Sequence, residues 1–247
     1  MFADDCKVYL GFPKTNFDLT IFERAIEFIF EWCSSVKLRL ALQKCFVLHL
    51  GCSNPRRQYA INGTEIETVT DVRDLGVLVG IDHGSNLSFS KHCIKIASEA
   101  SRKSHLLHRA FTNRNSKFLV QLYKTFVRPK LEYATPVWNP YMIKDISVLE
   151  SVQRAFTLRL PGMRALQGLY LERLRMQNLE TLEYRRLVID LQYVYRIYYG
   201  LIDLNFDDFF QISIARLRGN NCKLFMPALV KNLNCRKFSF AIRTLKV

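Results

Sequence analysis

Three groups of residues combine types and spacings that suit chemistry. Near the start of the chain, Phe2-Ala3-Asp4-Asp5 sets two carboxylates side by side. Adjacent carboxylates repel, and a divalent cation shared with a phosphate-bearing substrate relieves that repulsion. Two such ions, held roughly 3.5–4 Å apart, activate an attacking oxygen and stabilise a departing one in phosphoryl transfer. A solvated turn carries the same dipeptide, so the pair alone leaves both readings open. In the second group, Lys91, Lys95, Arg102 and Arg109 fall within about 40° of one another when wound as a helix at about 100° per residue. They form a basic stripe suited to phosphates spaced along a duplex. A solvated helix face is the bland alternative, but residues 87–130 hold ten Lys/Arg against one acid, Glu99. The third group, His105 and His108, stands three residues apart, with no nearby cysteine or second histidine pair to complete a tetrahedral metal set.

The charge of the whole chain points the same way as the stripe. Its 247 residues carry 36 Lys+Arg and 22 Asp+Glu, a formal net charge of +14. Residues 1–86 hold 9 basic and 11 acidic residues, net −2, and residues 87–247 hold 27 and 11, net +16. The excess lies entirely in the second part, which favours a polyanionic partner, nucleic acid before anionic membrane. A membrane surface is the weaker reading because no basic helix pairs its charge with a large exposed Trp/Phe/Leu face. A hydrophobic share of 49% supports a folded core. Seven scattered cysteines without a Cys-x-x-Cys pair read as reduced thiols. The first residues lack the basic-then-apolar pattern of a signal peptide, and no run reaches the roughly 18 apolar residues of a membrane span. The expectation is an intracellular protein, nuclear or cytoplasmic.

The elements that must position these residues change character near residue 87. Before it, Val8-Tyr9-Leu10 reads as a strand ending at Gly11. The apolar residues Leu19, Phe22, Ala25, Ile26, Ile29, Phe30 and Cys33 recur at helical spacing with Asp18 as N-cap. Cys45 to Leu50 reads as a strand, Tyr59–Ile61 and Thr64–Val69 as a hairpin around Asn62-Gly63, and Asp74 to Ile81 as another strand. After residue 87 the pattern is helical. One helix starts at Ser88 or Ser90, one runs from Ser116 to near Pro129, one is capped by Asp145 and ends at Pro161-Gly162, and one is capped by Asn178 and ends at Gly200. The tyrosines Tyr184, Tyr193, Tyr195, Tyr198 and Tyr199, interleaved with aliphatics, read as packing for the helical region. Tyr133 and Trp138, among Pro129, Pro136 and Pro140, read as pins for a loop between helices.

Taken together, the motifs resemble the C-terminal part of a non-LTR retrotransposon reverse transcriptase of the jockey-like kind. Phe2-Ala3-Asp4-Asp5 resembles the third motif of the polymerase palm. Leu42-Gln-Lys-Cys45 leading through Val47-Leu48-His49-Leu50 to Gly51 resembles the fourth, and Asp74-Leu-Gly-Val77 the fifth, a hairpin that grips the primer end. The stretches Leu122–Tyr133, Val137-Trp138-Asn-Pro140, Leu149–Arg154, Pro161-Gly162, Glu172-Arg-Leu174, Glu183–Arg186, Lys223–Pro227 and Phe238-Ser-Phe240 resemble the helical region that follows. The likeness covers nearly the whole chain in family order. One departure is Ala41, where the family usually has Asn three residues before the lysine of the fourth motif.

The resemblance implies an α+β fold: a small β-rich palm remnant with one packed helix over residues 1–86, then a basic all-α thumb-like region over 87–210 and a basic, weakly structured tail over 211–247. It implies Asp4 and Asp5 as catalytic carboxylates on Mg2+ or Mn2+, Lys44 as proton donor to pyrophosphate, and Leu75 and Gly76 as the primer grip. It implies an RNA template paired with a DNA primer as partner, with dNTP only in the intact enzyme. The basic candidates for nucleic-acid binding are Lys91, Lys95, Arg102, Arg109, Lys124 and Arg128. The function implied is a fragment of an RNA-directed DNA polymerase; the alternative is a non-catalytic nucleic-acid-binding relic or domesticated module. The family's palm takes another metal-binding aspartate, the fingers and the dNTP site from segments upstream of its third motif, so this chain alone is expected not to polymerise DNA. In a primer-extension assay with Mg2+ or Mn2+ the purified chain should give no product. Extension by the wild type but not by Asp4→Ala would contradict this.

Overall fold

The computed structural model describes residues 5–11, 20–82, 86–111, 115–212, 224–226 and 234–246. The fold is α+β, and the chain divides into two compact units, Met1–Asp74 with Val79–Leu87 and Leu75–Leu78 with Ser88–Val247. The first carries α1 (Thr20–Ser35), β1 (Phe46–Leu48), β2 (Ala60–Ile61), β3 (Thr64–Glu65), β4 (Glu67–Val69) and β5 (Asp71–Asp74), then most of β6 (Val77–Ile81) and the start of β7 (Leu87–Ser88). Asp18, the expected cap of α1, lies outside the described residues. Val8 to Leu10 forms no strand.

The core of this unit follows from the helical spacing. Phe22, Ile26 and Phe30 of α1, with Leu42, Cys45 and Val47, pack against the buried Tyr59, Ile61 and Ile66. The Phe22 and Tyr59 rings meet edge-on at 4.9 Å, a geometry that adds about 0.5–1.5 kcal/mol beyond burial. The expected hairpin forms, with Asn62 at φ 47° and Gly63 at φ 74° giving the left-handed pair that a two-residue turn requires. Its second strand is shorter than expected. Ile66 leaves the ladder to enter the core, and Glu67–Val69 pair instead in parallel with Phe46–Leu48. Asp74 to Ile81 is a hairpin rather than one strand, because Leu75 (φ 43°) and Gly76 (φ 90°) turn the chain between β5 and β6.

The second unit is helical: α2 (Ser90–Ala110), α3 (Ser116–Leu122), α4 (Arg128–Glu132), α5 (Thr135–Trp138), α6 (Ile143–Leu158), α7 (Tyr170–Met176), α8 (Leu182–Tyr198), α9 (Asn234–Lys237) and α10 (Phe240–Thr244). Helix α2 packs most extensively on α6. It buries His92, Cys93, Ile96, Ala97, Ala100 and Ser104, mostly small residues that let a neighbouring helix approach closely. Pro129 was expected to stop the helix that begins at Ser116, yet the chain continues through it. A π-helical turn over Tyr123–Val127, in which Arg128 N–H bonds Tyr123 O, loosens the backbone just before the residue that has no N–H to give.

Two caps differ from the sequence reading. Asp145 sits inside α6 rather than at its start, and its buried carboxylate accepts from Ser90 Oγ at 2.6 Å. Thr181 rather than Asn178 caps α8, accepting from Tyr184 N at 3.2 Å. Asn178, at φ 50°, ends α7 instead, since Asn tolerates the left-handed conformation that closes a helix. Gly200, at φ 62°, ends α8 as expected. Helix α7 itself, too short for a clear periodic signal, was not foreseen.

Buried polar groups in this unit are tied into a network. Gln153 Nε2 donates to Tyr170 Oη (3.0 Å) and Glu180 O (2.8 Å), and its Oε1 accepts from Tyr123 Oη at 3.1 Å. Tyr123 also stacks on Phe156 at 4.4 Å, and burial raises its hydroxyl well above the usual tyrosine range. The tail differs from the expectation of weak structure over 234–246. Arg243 of α10 donates to both carboxylate oxygens of Asp190 (2.8 and 2.9 Å) and to Pro136 O (2.7 Å). A buried carboxylate needs a cation, and the tail supplies it.

The Leu75–Gly76 turn is held within this second unit. Tyr133 Oη donates to Leu75 O at 3.0 Å, and Trp138 Nε1 donates to Tyr133 O at 2.7 Å, so the aromatic pins act as expected. Leu78 N–H donates to His92 Nδ1 at 3.1 Å, and the His92 ring meets Trp138 edge-on at 5.0 Å. Burial, with Lys95 nearby, lowers the His92 pKa to about 4. The unfolded histidine titrates near 6.5, so the unfolded chain binds a proton that the folded one refuses. Stability from this group is therefore complete above about pH 6.5 and is lost as pH falls toward 4, by about 3 kcal/mol at most. Urea midpoints of wild type should fall more steeply over that interval than those of His92→Gln; parallel curves would contradict the assignment.

Candidate nucleic-acid interface

Helix α2 carries the basic stripe because one side is committed to the core. Its buried residues from His92 to Ser104 occupy one side, and Lys91, Lys95, Arg102 and Arg109 are exposed on the opposite side. From Lys91 to Arg109 the helix rises about 27 Å, the length of about eight base pairs. The one acid on this stretch is disarmed. Lys130 Nζ of α4 bonds Glu99 Oε2 at 2.5 Å, and this bond, helped by Lys95 and Arg102, holds the Glu99 carboxyl below its ordinary range. The Lys130 pairing is one that the stripe arithmetic missed. Lys130 lies 31 residues from Glu99, and only the packing of α4 on α2 brings the two together.

Two of the expected binding residues belong to other duties. Arg128 is half-buried and pairs with Glu132, whose carboxylate is shared with Arg185 of α8. Lys124 Nζ donates to Asn178 O at 3.4 Å, closing the end of α7. Lys124 lies in the π-helical turn and Arg128 opens α4. Their charges were legible in the sequence, but the Asn178 carbonyl, 54 residues from Lys124, and the second claim on Glu132 by Arg185, 53 residues from that acid, were not.

The residues to which the resemblance assigns catalysis and primer binding are placed as follows. Asp4 lies outside the described residues. Asp5 is exposed, and Lys7, beside it, is ion-paired with Asp74; that bond chiefly raises the Lys7 pKa, with Asp5 a smaller contributor. Among the described residues, which do not include Asp4, no group of three His, Cys, Asp or Glu side chains is placed to hold a metal ion. Lys44 ends a 3-10 turn over Leu42–Lys44 and is exposed. Its backbone N–H bonds Ala41 O at 2.8 Å, so the turn closes through the backbone without the family's Asn side chain. Leu75 and Gly76 do form a tight turn. A leucine at φ 43° costs of order 1 kcal/mol, which the Tyr133 bond to its carbonyl offsets. A Cβ at Gly76 would stand 3.4 Å from Tyr133 Cε1, so little space remains at this corner.

The five tyrosines divide. Tyr184, Tyr195 and Tyr199 are 52%, 58% and 59% exposed, whereas Tyr193 and Tyr198 are half-buried and the Tyr198 ring meets Phe206 edge-on at 5.5 Å.

No family model matches the chain, and no solved structure matches it. Among curated proteins it is similar to uncharacterized protein B0403.1 of Caenorhabditis elegans, 27% identical over 130 residues. The match covers 52% of this chain and 64% of that protein. Among the described residues no helix is long and apolar enough to cross a membrane.

If Arg128 serves the fold, its acceptor must as well. Glu132→Gln leaves Arg128 and Arg185 without their shared carboxylate and should lower unfolding stability by about 1–3 kcal/mol. An unchanged urea midpoint would assign this cluster to the surface instead.

Proposed function

We propose that this chain is the nucleic-acid-holding part of a reverse-transcriptase-like protein, and that it binds an RNA–DNA or similar duplex along α2 through the phosphate backbone. One observation carries the reading: four cations aligned on the solvent side of a single helix whose only acid is occupied by Lys130. Phosphate contacts of this kind position a duplex without reading its sequence, which fits a protein that must track any template. The order of motifs from Asp4-Asp5 through Leu75-Gly76 to the helical unit supports the reverse-transcriptase kinship. In that reading the palm motifs take part in two-metal nucleotidyl transfer, with Mg2+ or Mn2+, only in a larger protein. A non-catalytic, domesticated binding module is the second reading, since phosphate binding along α2 needs no metal site.

Binding is tested by fluorescence anisotropy with a labelled RNA–DNA hybrid at fixed salt. The combined change of Lys91, Lys95, Arg102 and Arg109 to Gln should weaken affinity at least tenfold with an unchanged circular dichroism spectrum. The control Lys37→Gln with Arg39→Gln, in the first unit, should stay within about twofold of wild type. Equal binding by the stripe variant would overturn the proposal.

A further inference from the structure

A groove of about 560 Å3 opens on the outward side of α6, between that helix and the start of α7. Ser151, Arg154, Gln167, Gly168, Tyr170 and Arg173 line it. It shares no residue with the α2 stripe.

Two guanidinium groups converge on its aromatic floor. Arg154 Cζ stands 5.0 Å and Arg173 Cζ 5.6 Å from the centroid of the Tyr170 ring. Arg173 is 2% exposed, and every acceptor it finds is neutral: Leu166 O at 2.5 Å, Gln167 O at 2.9 Å and Thr157 Oγ1 at 3.3 Å. Among the described residues no carboxylate pairs with Arg173 or Arg154. A buried cation without a counter-charge is costly, and a second cation drawn toward the same ring adds repulsion.

The acids close in sequence are spent elsewhere. Glu150, one helical turn before Arg154, points inward, accepting from Tyr170 Oη and from Leu182 N at 3.1 Å. Glu172 pairs with Arg175 at 3.4 Å. What remains at the groove is two positive charges, the amide of Gln167, and open space beside Gly168; the Ser151 hydroxyl donates to Val148 O at 2.6 Å. Arginine's planar fork and amide N–H groups are donors that take a tetrahedral oxyanion by charge-assisted hydrogen bonds.

We propose that this groove is a phosphate-binding subsite, taking a phosphate group either as inorganic phosphate or as part of a nucleic-acid strand. The claim stands apart from binding at α2, because inorganic phosphate needs no duplex. Thermal unfolding is measured in chloride at constant ionic strength, with and without 1–10 mM inorganic phosphate, a range in which general salt exclusion is small. Phosphate should raise the wild-type midpoint by 2 °C or more. Arg154→Gln and Ser151→Glu, both at exposed positions, should abolish the shift, and the combined change of Lys91 and Lys95 to Gln should retain it. No shift in wild type, the same shift in Arg154→Gln and Ser151→Glu, or loss of the shift in the α2 variant would each overturn the assignment. In a second arm, 5′-phosphorylated and 5′-hydroxyl versions of a short DNA strand are titrated against bound phosphate. Stronger competition by the phosphorylated strand assigns the groove to a strand end; equal competition by both assigns it to the backbone diester.

Discussion

The arrangement of the helical unit depends on the packing of α2 against α6. A helix with Lys91 and Lys95 one turn apart and Arg102 and Arg109 on the same line is weakened by like-charge repulsion, and alone it would gain nothing to hold it. The opposite face supplies what is missing. Cys93 and Ala100 are fully buried and Ala97 and Ser104 nearly so, and on α6 Leu149 and Phe156 are equally sealed. Burial of that face fixes the helix, and once it is fixed the cations have no choice of direction. The stripe is a consequence of where the core is, and the electrostatic field it makes is tolerated because hydrophobic contact supports it.

The polar residues inside the unit serve the same end. Gln153, Tyr123, Tyr170 and Glu150 form one hydrogen-bonded cluster beneath α6, and Asp190 is tied to Arg243 from the far end of the chain. Networks of this kind are costly when half satisfied and specific when complete. Asn139 extends one: it donates to Asp190 Oδ2 at 2.9 Å and accepts from Arg186 Nε at 3.0 Å, linking the segment after α5 to α8, while Arg186 Nη1 and Nη2 are buried without a hydrogen-bond partner among the described residues. The Arg186 guanidinium is nearly sealed, and burial lowers its pKa from the usual arginine value. Much of the positive charge counted in the sequence is thus structural. Arg128, Arg185 and Arg243 pair with carboxylates inside the fold, whereas Lys95, Arg102 and Arg109 of α2 face solvent.

The sequence made the periodic elements legible and the long-range pairings not. Helical spacing placed α1, α2, α6 and α8, and Asn62-Gly63 placed its turn, because these signals are local. The parallel pairing of β1 with β4 and the ordering of the tail by Asp190 each depend on residues far apart in the chain. The same division runs through the candidate site. The α2 stripe came from arithmetic on one helix, whereas the neutralising Lys130 and the internal duties of Lys124 and Arg128 required the tertiary structure. Which tyrosines face inward was not legible, because an aromatic–aliphatic run has the same composition whichever way each residue faces: Tyr193 and Tyr198 are half-buried and Tyr184, Tyr195 and Tyr199 exposed.

The central claim is that α2 binds nucleic acid through its aligned cations by releasing counterions. The most direct measurement is the affinity for a duplex as a function of salt concentration. Displacing counterions from about four phosphates predicts a log–log slope of about −3 to −4 and a loss of about a hundredfold in affinity between 50 and 200 mM salt. A slope near zero would contradict the account.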